Sequence, residues 1–126
     1  MAVFSKILAK PLDPERCQLL IEQALARIEE AGAWVQVWLF GSAGGGQMTD
    51  NSDLDFVLIY PDELKLKAGR KLYHQSTKRV GCNMDVLFVT QQEFNEKAEI
   101  GGVYFVCKRN GRLLRSRDFS LATVTE

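Results

Sequence analysis

The chain has 126 residues, 46% of them hydrophobic and 25% charged, which indicates a folded globular protein rather than a disordered one. Sixteen basic and sixteen acidic residues give zero net charge, which argues against non-specific DNA binding. The sequence shows no membrane span, no signal peptide and no disulfide or zinc pattern among its three cysteines, so we expect a cytoplasmic protein without membrane contact. We expect one domain over residues 1–126, with an arm at 1–12 and a tail at 116–126.

The first half of the chain predicts a helix followed by two strands. Residues 13–15 (Asp-Pro-Glu) combine a cap, a proline for the first helical position and an acid suited to the helix dipole. Apolar residues at helical spacing continue from there towards Gly32, the expected end of this helix. Residues 34–40 are apolar at nearly every position, which predicts a central strand covered on both faces, and 54–60 predicts the second strand.

The segment after the second strand predicts a polar helix and then a third strand. Residues 62–79 are rich in lysine and arginine and predict a helix that is largely solvated, apart from a short inner side made by Leu64, Ala68, Leu72 and Tyr73. Residues 82–89 alternate in character, with Asp85, Leu87 and Val89 on one face of the predicted strand. The acid lies near the beginning of this predicted strand, as in the strand at 54–60, and apolar residues continue beyond it.

The last part of the chain predicts one more helix and a hairpin. Residues 90–93 (Thr-Gln-Gln-Glu) form a capping box, and Gly101 and Gly102 mark the end of the helix that it opens. The apolar run 103–107 and the run 112–115 flank an Asn-Gly pair and predict two strands joined by a tight turn. These elements together predict an α/β (α+β) fold in which helices pack against a mixed sheet.

Three carboxylates fall at the beginnings of two predicted strands. Asp53 and Asp55 are two residues apart, so they point to the same face with Cα atoms roughly 6.6 Å apart. If the strands are neighbours, about 4.8 Å apart, Asp85 faces this pair. Two such carboxylates repel each other, and a hard divalent cation such as Mg²⁺ removes the repulsion. The sequence therefore predicts a metal site.

A glycine-rich turn comes directly after the predicted central strand. Gly41 and Ser42 follow Phe40, and residues 44–46 are three further glycines. Glycines allow backbone N–H groups to approach an anion closely, and the serine hydroxyl adds one more donor. We therefore expect a phosphate cradle on this side of the metal site.

The pattern Gly41-Ser42, ten residues, and Asp53-Leu54-Asp55 resembles the signature of the polymerase-beta-like nucleotidyltransferase superfamily, and Asp85 matches its third carboxylate. The resemblance covers about residues 33–115 and is nearest to the minimal nucleotidyltransferase (MNT) type. It implies that Asp53, Asp55 and Asp85 are catalytic and bind Mg²⁺, and that Gly41 and Ser42 bind the nucleotide. The implied substrate is ATP or another nucleoside triphosphate.

The resemblance also implies a partner and an acceptor. Many minimal members are encoded beside a helical protein of the higher-eukaryote-and-prokaryote nucleotide-binding (HEPN) type and act as antitoxins that adenylylate it. We expect transfer to a macromolecular hydroxyl, because we expect no second domain to position a small acceptor.

Two alternatives stay open at this stage. One is a catalytically weak or inactive nucleotide-binding module that neutralises a helical partner by contact, which the stretch 43–46 (Ala-Gly-Gly-Gly) favours because many small members carry an arginine there. The other is a drug or metabolite nucleotidyltransferase, which normally has an acceptor-binding domain on the same chain.

Overall fold

A computed structural model describes residues 12–41 and 53–117, so most of the predicted arm and tail, and the residues after Gly41, lie outside the described residues. The described part contains four helices and four strands, in the order α1 (Pro14–Ile28), β1 (Gln36–Phe40), β2 (Leu54–Tyr60), α2 (Glu63–Gln75), β3 (Met84–Thr90), α3 (Gln91–Ile100), α4 (Val103–Asn110) and β4 (Arg112–Ser116). None of the helices described has the length and apolarity to cross a membrane.

The strands form one mixed sheet in the order β3-β2-β1-β4. Strand β2 pairs parallel with β3 and antiparallel with β1, and β1 pairs antiparallel with β4. One face packs against α1 and α2 and the other against α3 and α4, so the two inner strands are covered on both sides. This confirms the predicted α+β fold and the central position of β1. It also explains why six of the seven positions of β2 are buried.

The predicted hairpin near the end of the chain is wrong. Residues 103–107 belong to helix α4, and the N–H of Gly111 closes this helix by donating to the carbonyl of Cys107 at 2.7 Å. Strand β4 pairs with β1 instead of the preceding segment. A short apolar run does not by itself separate helix from strand. Here Tyr104 and Cys107, three residues apart, both pack against the sheet, which is helical spacing.

The inner side of α2 also differs from the prediction. Leu66, Gly69 and Tyr73 are buried there, whereas Leu64 is 79% and Leu72 45% exposed. Tyr60, fully buried at the end of β2, explains the difference, because its hydroxyl donates to the carbonyl of Ala31 at 2.6 Å and its ring lies against Gly69. A side chain at position 69 would meet this ring, so only a glycine lets the helix come so close.

We predict that Gly69→Ala destabilises the protein by about 1–3 kcal/mol, because the added Cβ would lie 2.4 Å from both the Tyr60 ring and the Ala31 carbonyl. Helix propensity alone would give a gain of about 1 kcal/mol. Urea denaturation of Gly69→Ala and of the exposed control Ala68→Gly, expected to cost about 1 kcal/mol, separates the two effects. A more stable Gly69→Ala protein would contradict the packing described.

Candidate active site

Two of the predicted carboxylates lie side by side across β2 and β3. The parallel register places Asp55 directly opposite Asp85, and the pairing continues without a shift from Leu54 and Met84 to Tyr60 and Thr90. Since neighbouring strands in register present opposite residues on the same face, both carboxylates point to the α3 and α4 side of the sheet. The structure therefore brings Asp85 beside Asp55, one member of the first acidic pair.

The electrostatics of Asp55 show that the three acids interact. Burial, the charge of Asp85, the charge of Asp53 and a hydrogen-bonding contact with Asp85 all raise the pKa of Asp55, in that order of size. Asp53 and Asp85 are themselves exposed. Asp85 therefore couples to Asp55 more strongly than Asp53 does, although Asp53 is nearer in sequence.

Asp53 lies on the side of the site where β3 begins. Burial and then the charge of Asp53 raise the pKa of the Cys82 thiol, while Arg16 acts in the opposite direction. The N–H of Leu54, next to Asp53, donates to the carbonyl of Asn83 at 2.9 Å. Asp53 thus lies near the segment that leads into β3, at the same end of the sheet as Asp55 and Asp85.

Gly41 directly follows β1 and lies against the carboxylate of Asp55. Strand β1 places Phe40 opposite Asp55, and Gly41 follows with φ of +74°, a conformation that side chains disfavour. A Cβ at position 41 would lie 2.6 Å from Oδ2 of Asp55. Because glycine has no Cβ, it leaves room for the Asp55 carboxylate. Ser42 and the three glycines at 44–46 lie outside the described residues, so the phosphate cradle stays a prediction.

The donor set at this end of the sheet suits a hard divalent cation. Asp53, Asp55 and Asp85 offer only carboxylate oxygens, the ligands that Mg²⁺ prefers, and their mutual repulsion is of the kind that a cation relieves. Within residues 12–41 and 53–117, no three His, Cys, Asp or Glu side chains stand as a ready-made metal cluster. The carboxylates thus fit Mg²⁺ by the chemistry of their donor atoms.

A groove beside Asp85 was not predicted. It has a volume of about 420 Å³ and is lined by residues 84–88 of β3 and by Arg70, Tyr73 and His74 of α2. His74, the single histidine of the chain, is one of these lining residues. The spacing of Arg70, Tyr73 and His74, three and four residues apart, could have grouped them on one helix face. That this face lies beside Asp85 depends on the tertiary structure.

We predict that Asp55→Asn raises stability at neutral pH by about 0.5 kcal/mol, a small value because water screens a partly exposed carboxyl. The folded pKa of Asp55 is raised, so its ionised form costs stability above that pKa, and the gain should disappear as the pH falls towards the unfolded pKa. Thermal denaturation from neutral pH down to about pH 3, below the usual Asp pKa of about 3.9, measures the gain and its loss.

Asp62→Asn serves as the control, because its effect on stability should have the opposite sign to that of Asp55→Asn. Asp62 accepts the N–H of Lys65 at 2.8 Å, and this hydrogen bond lowers the pKa of Asp62. Its charge therefore favours the folded state at neutral pH, and its removal should lower stability there. Equal effects of the two substitutions would contradict the repulsion described for Asp55.

Comparison with known proteins agrees with this fold. A crystal structure of a candidate nucleotidyltransferase from Sulfolobus solfataricus superposes with a TM-score of 0.56 and 18% identity, covering 82% of this chain and 86% of that one. At this identity the likeness shows the fold alone. Comparison with curated protein sequences gives no significant match. The family model described as "Polymerase beta, Nucleotidyltransferase" matches residues 22–118, so the chain belongs to the polymerase beta nucleotidyltransferase family.

Proposed function

We propose that the protein is a metal-dependent nucleotidyltransferase that transfers a nucleoside monophosphate, AMP from ATP, to a hydroxyl group of a macromolecule. The observation that carries the proposal is the cross-strand pair of Asp55 and Asp85, with Gly41 held against Asp55 at the end of β1. This arrangement joins carboxylates for a metal to a turn for phosphates, which is what transfer from a triphosphate requires.

Each residue of the site has a proposed role in this reaction. Asp53 and Asp55 would hold Mg²⁺, and Asp85 would join them as a ligand or accept the proton of the attacking hydroxyl. When bound, Mg²⁺ would supply neutralisation of the charge on the triphosphate and on the leaving pyrophosphate. Gly41, with the hydroxyl of Ser42, would bind the phosphates through hydrogen-bond donors. No protein nucleophile is needed, since positioning and charge account for this kind of transfer.

The acceptor and the partner belong to the same proposal. The site lies at an end of the sheet, with Asp53 and Asp85 exposed, so a small acceptor would find few contacts to hold it in position. A macromolecule can bring its hydroxyl there through contacts elsewhere on its surface. We propose a helical HEPN-type protein as this partner, in a toxin-antitoxin pair in the cytoplasm.

Two other functions have a specific observation in their favour. The glycine-rich stretch 43–46, without an arginine, favours an inactive module that binds the partner without modifying it. The groove of about 420 Å³ beside Asp85 has the size of a small-ligand pocket and favours a drug or metabolite as acceptor. Transfer by the isolated chain to small amines or hydroxyls would support this second function.

We predict that Asp53→Asn and Asp55→Asn each abolish measurable binding of Mg·ATP, since each removes a proposed metal ligand. Titration calorimetry with Mg·ATP measures the affinity, and Asp62→Asn, an exposed acid that caps α2, should bind as the parent does. At 100 times the dissociation constant, Mg·ATP should stabilise the parent by about 2.7 kcal/mol and leave the two site variants unchanged. Parent-like affinity in both site variants would contradict the metal assignment.

We predict that Asp85→Asn lowers the rate of transfer about 10²–10⁴-fold and changes Mg·ATP affinity much less, since the proposed work of Asp85 is at the acceptor. Co-expression with the product of the adjacent reading frame, followed by its intact mass, detects one added nucleotide. The added mass should be lost in Asp53→Asn. If Asp85→Asn instead unfolds the protein but keeps its activity per folded molecule, Asp85 is a structural residue.

A further inference from the structure

Strand β3 has an unpaired edge over its whole length in the part of the chain that the structure describes. It lies at the end of the sheet, with β2 as its one neighbour there. The N–H of Leu54 donates to the carbonyl of Asn83, so in a parallel ladder the peptide groups of Asn83, Asp85 and Leu87 point towards β2. The N–H and C=O groups of Met84, Val86 and Phe88 therefore point outwards.

This edge lacks the features that normally keep a sheet edge from pairing. The sequence of β3, MDVLFVT, contains no proline, lysine or arginine, and its pairing with β2 has no bulge. The opposite edge strand, β4, carries Arg112 and Arg115, and its register with β1 shifts between Val37 and Trp38. Proteins use such charges and irregularities to block strand addition. Strand β4 has basic side chains and a register shift, whereas β3 has neither, and its one charged residue is Asp85.

The groove described above runs along this unprotected edge. Its wall is residues 84–88, five consecutive strand residues that span about 13 Å. Asp85 lies near one end, and Phe88 lies towards the other, with the guanidinium of Arg70 5.5 Å from the ring centre of Phe88. Lys65 and Lys78, elsewhere along this basic segment, pair with acids, whereas Arg70 has no ion pair among the described residues. The far end of the groove therefore presents a positive charge without a partner.

We propose that an extended polypeptide segment binds along β3 as an added strand and brings the acceptor hydroxyl to Asp85. Side chains of an added strand alternate between the two faces of the sheet. Asp85 points to the α3 and α4 face of the sheet, whereas Arg70 belongs to α2 on the other face. In the bound segment, the residue with the acceptor hydroxyl and an acidic residue that pairs with Arg70 must therefore point to opposite faces. They are then separated by an odd number of positions. The assignment of the hydroxyl rests on the proposed function, whereas the strand addition does not.

A polypeptide fits this groove better than RNA does. The wall offers a row of N–H and C=O groups at the spacing that another strand matches. A nucleic acid needs several cations along its phosphates, but the lining of this groove has one arginine, Arg70, and an acid, Asp85. Strand addition thus uses the whole length of the groove.

Amide hydrogen exchange tests the proposal with the full chain and the probe peptide Thr-Val-Tyr-Val-Thr-Glu-Val, without ATP. We expect the amides of Val86 and Phe88 to gain protection when the peptide is added, and the amide of Leu87, already bonded to β2, to stay unchanged. Two peptides N-methylated at alternate amides give the matched control, because one edge of the peptide pairs and the other does not. One of them should bind as the parent peptide does, and the other should fail to bind.

Fluorescence anisotropy of the peptide tests whether the charge of Arg70 contributes to binding. Arg70→Glu should weaken binding of the acidic peptide roughly tenfold, whereas Lys71→Glu, the same charge change outside the groove, should change it less than about twofold. When lysine replaces the glutamate of the peptide, the order of the affinities should reverse, so that Arg70→Glu binds this peptide more tightly than Lys71→Glu does. Unchanged exchange at residues 86 and 88, equal binding of both methylated peptides, or protection of the edge by a single-stranded RNA dodecamer instead of the peptide would overturn the proposal. Peptide binding that fails while Mg·ATP still binds would leave the proposed function intact.

Discussion

The parallel pairing of β2 with β3 is the constraint on which the site depends. Seven consecutive residue pairs fix the register, and one of them sets Asp55 beside Asp85. A slip of one residue would turn Asp85 to the α2 side of the sheet and separate it from Asp55. The packing of β3 opposes such a slip, because Met84, Val86 and Phe88 pack against one core and Val89 is buried in the other.

The same pairing carries an electrostatic cost at its first residues. Asp55 is partly buried beside two other carboxylates, and its raised pKa shows that the ionised state is disfavoured there. The site tolerates this cost because Asp53 and Asp85 remain exposed, where water screens them, and because the rest of β2 is apolar. Gly41 adds to the arrangement by leaving space for the Asp55 carboxylate. The acids are thus held together by the packing of residues that do not take part in the chemistry.

The carboxylates could be predicted from the sequence because strands alternate with a period of two, so the positions of Asp55 and Asp85 within apolar runs decide their face. The helix at 103–110 could not, because an apolar run followed by Asn-Gly is compatible with a strand and a turn. The inner side of α2 depends on the contact of Gly69 with Tyr60, nine residues away in sequence but on another element. The groove beside Asp85 requires β3 to be an edge strand, which local patterns do not specify.

The three acids are divided between the inner strand β2 and the edge strand β3. This division separates the proposed metal ligands on β2 from the proposed acceptor side on β3. Asp53 directly precedes β2 and Asp55 lies within it, and β2 is paired with a strand on each side, so these two proposed metal ligands are held by an inner strand. Asp85 belongs to β3, whose outer side has no neighbour in the described chain. Under the proposed function, an acceptor would reach Asp85 along this edge without crossing the core. Arg70 and His74 line the groove from α2, a different element from the one that holds Asp55, so under the proposed function acceptor choice and metal binding would depend on different residues.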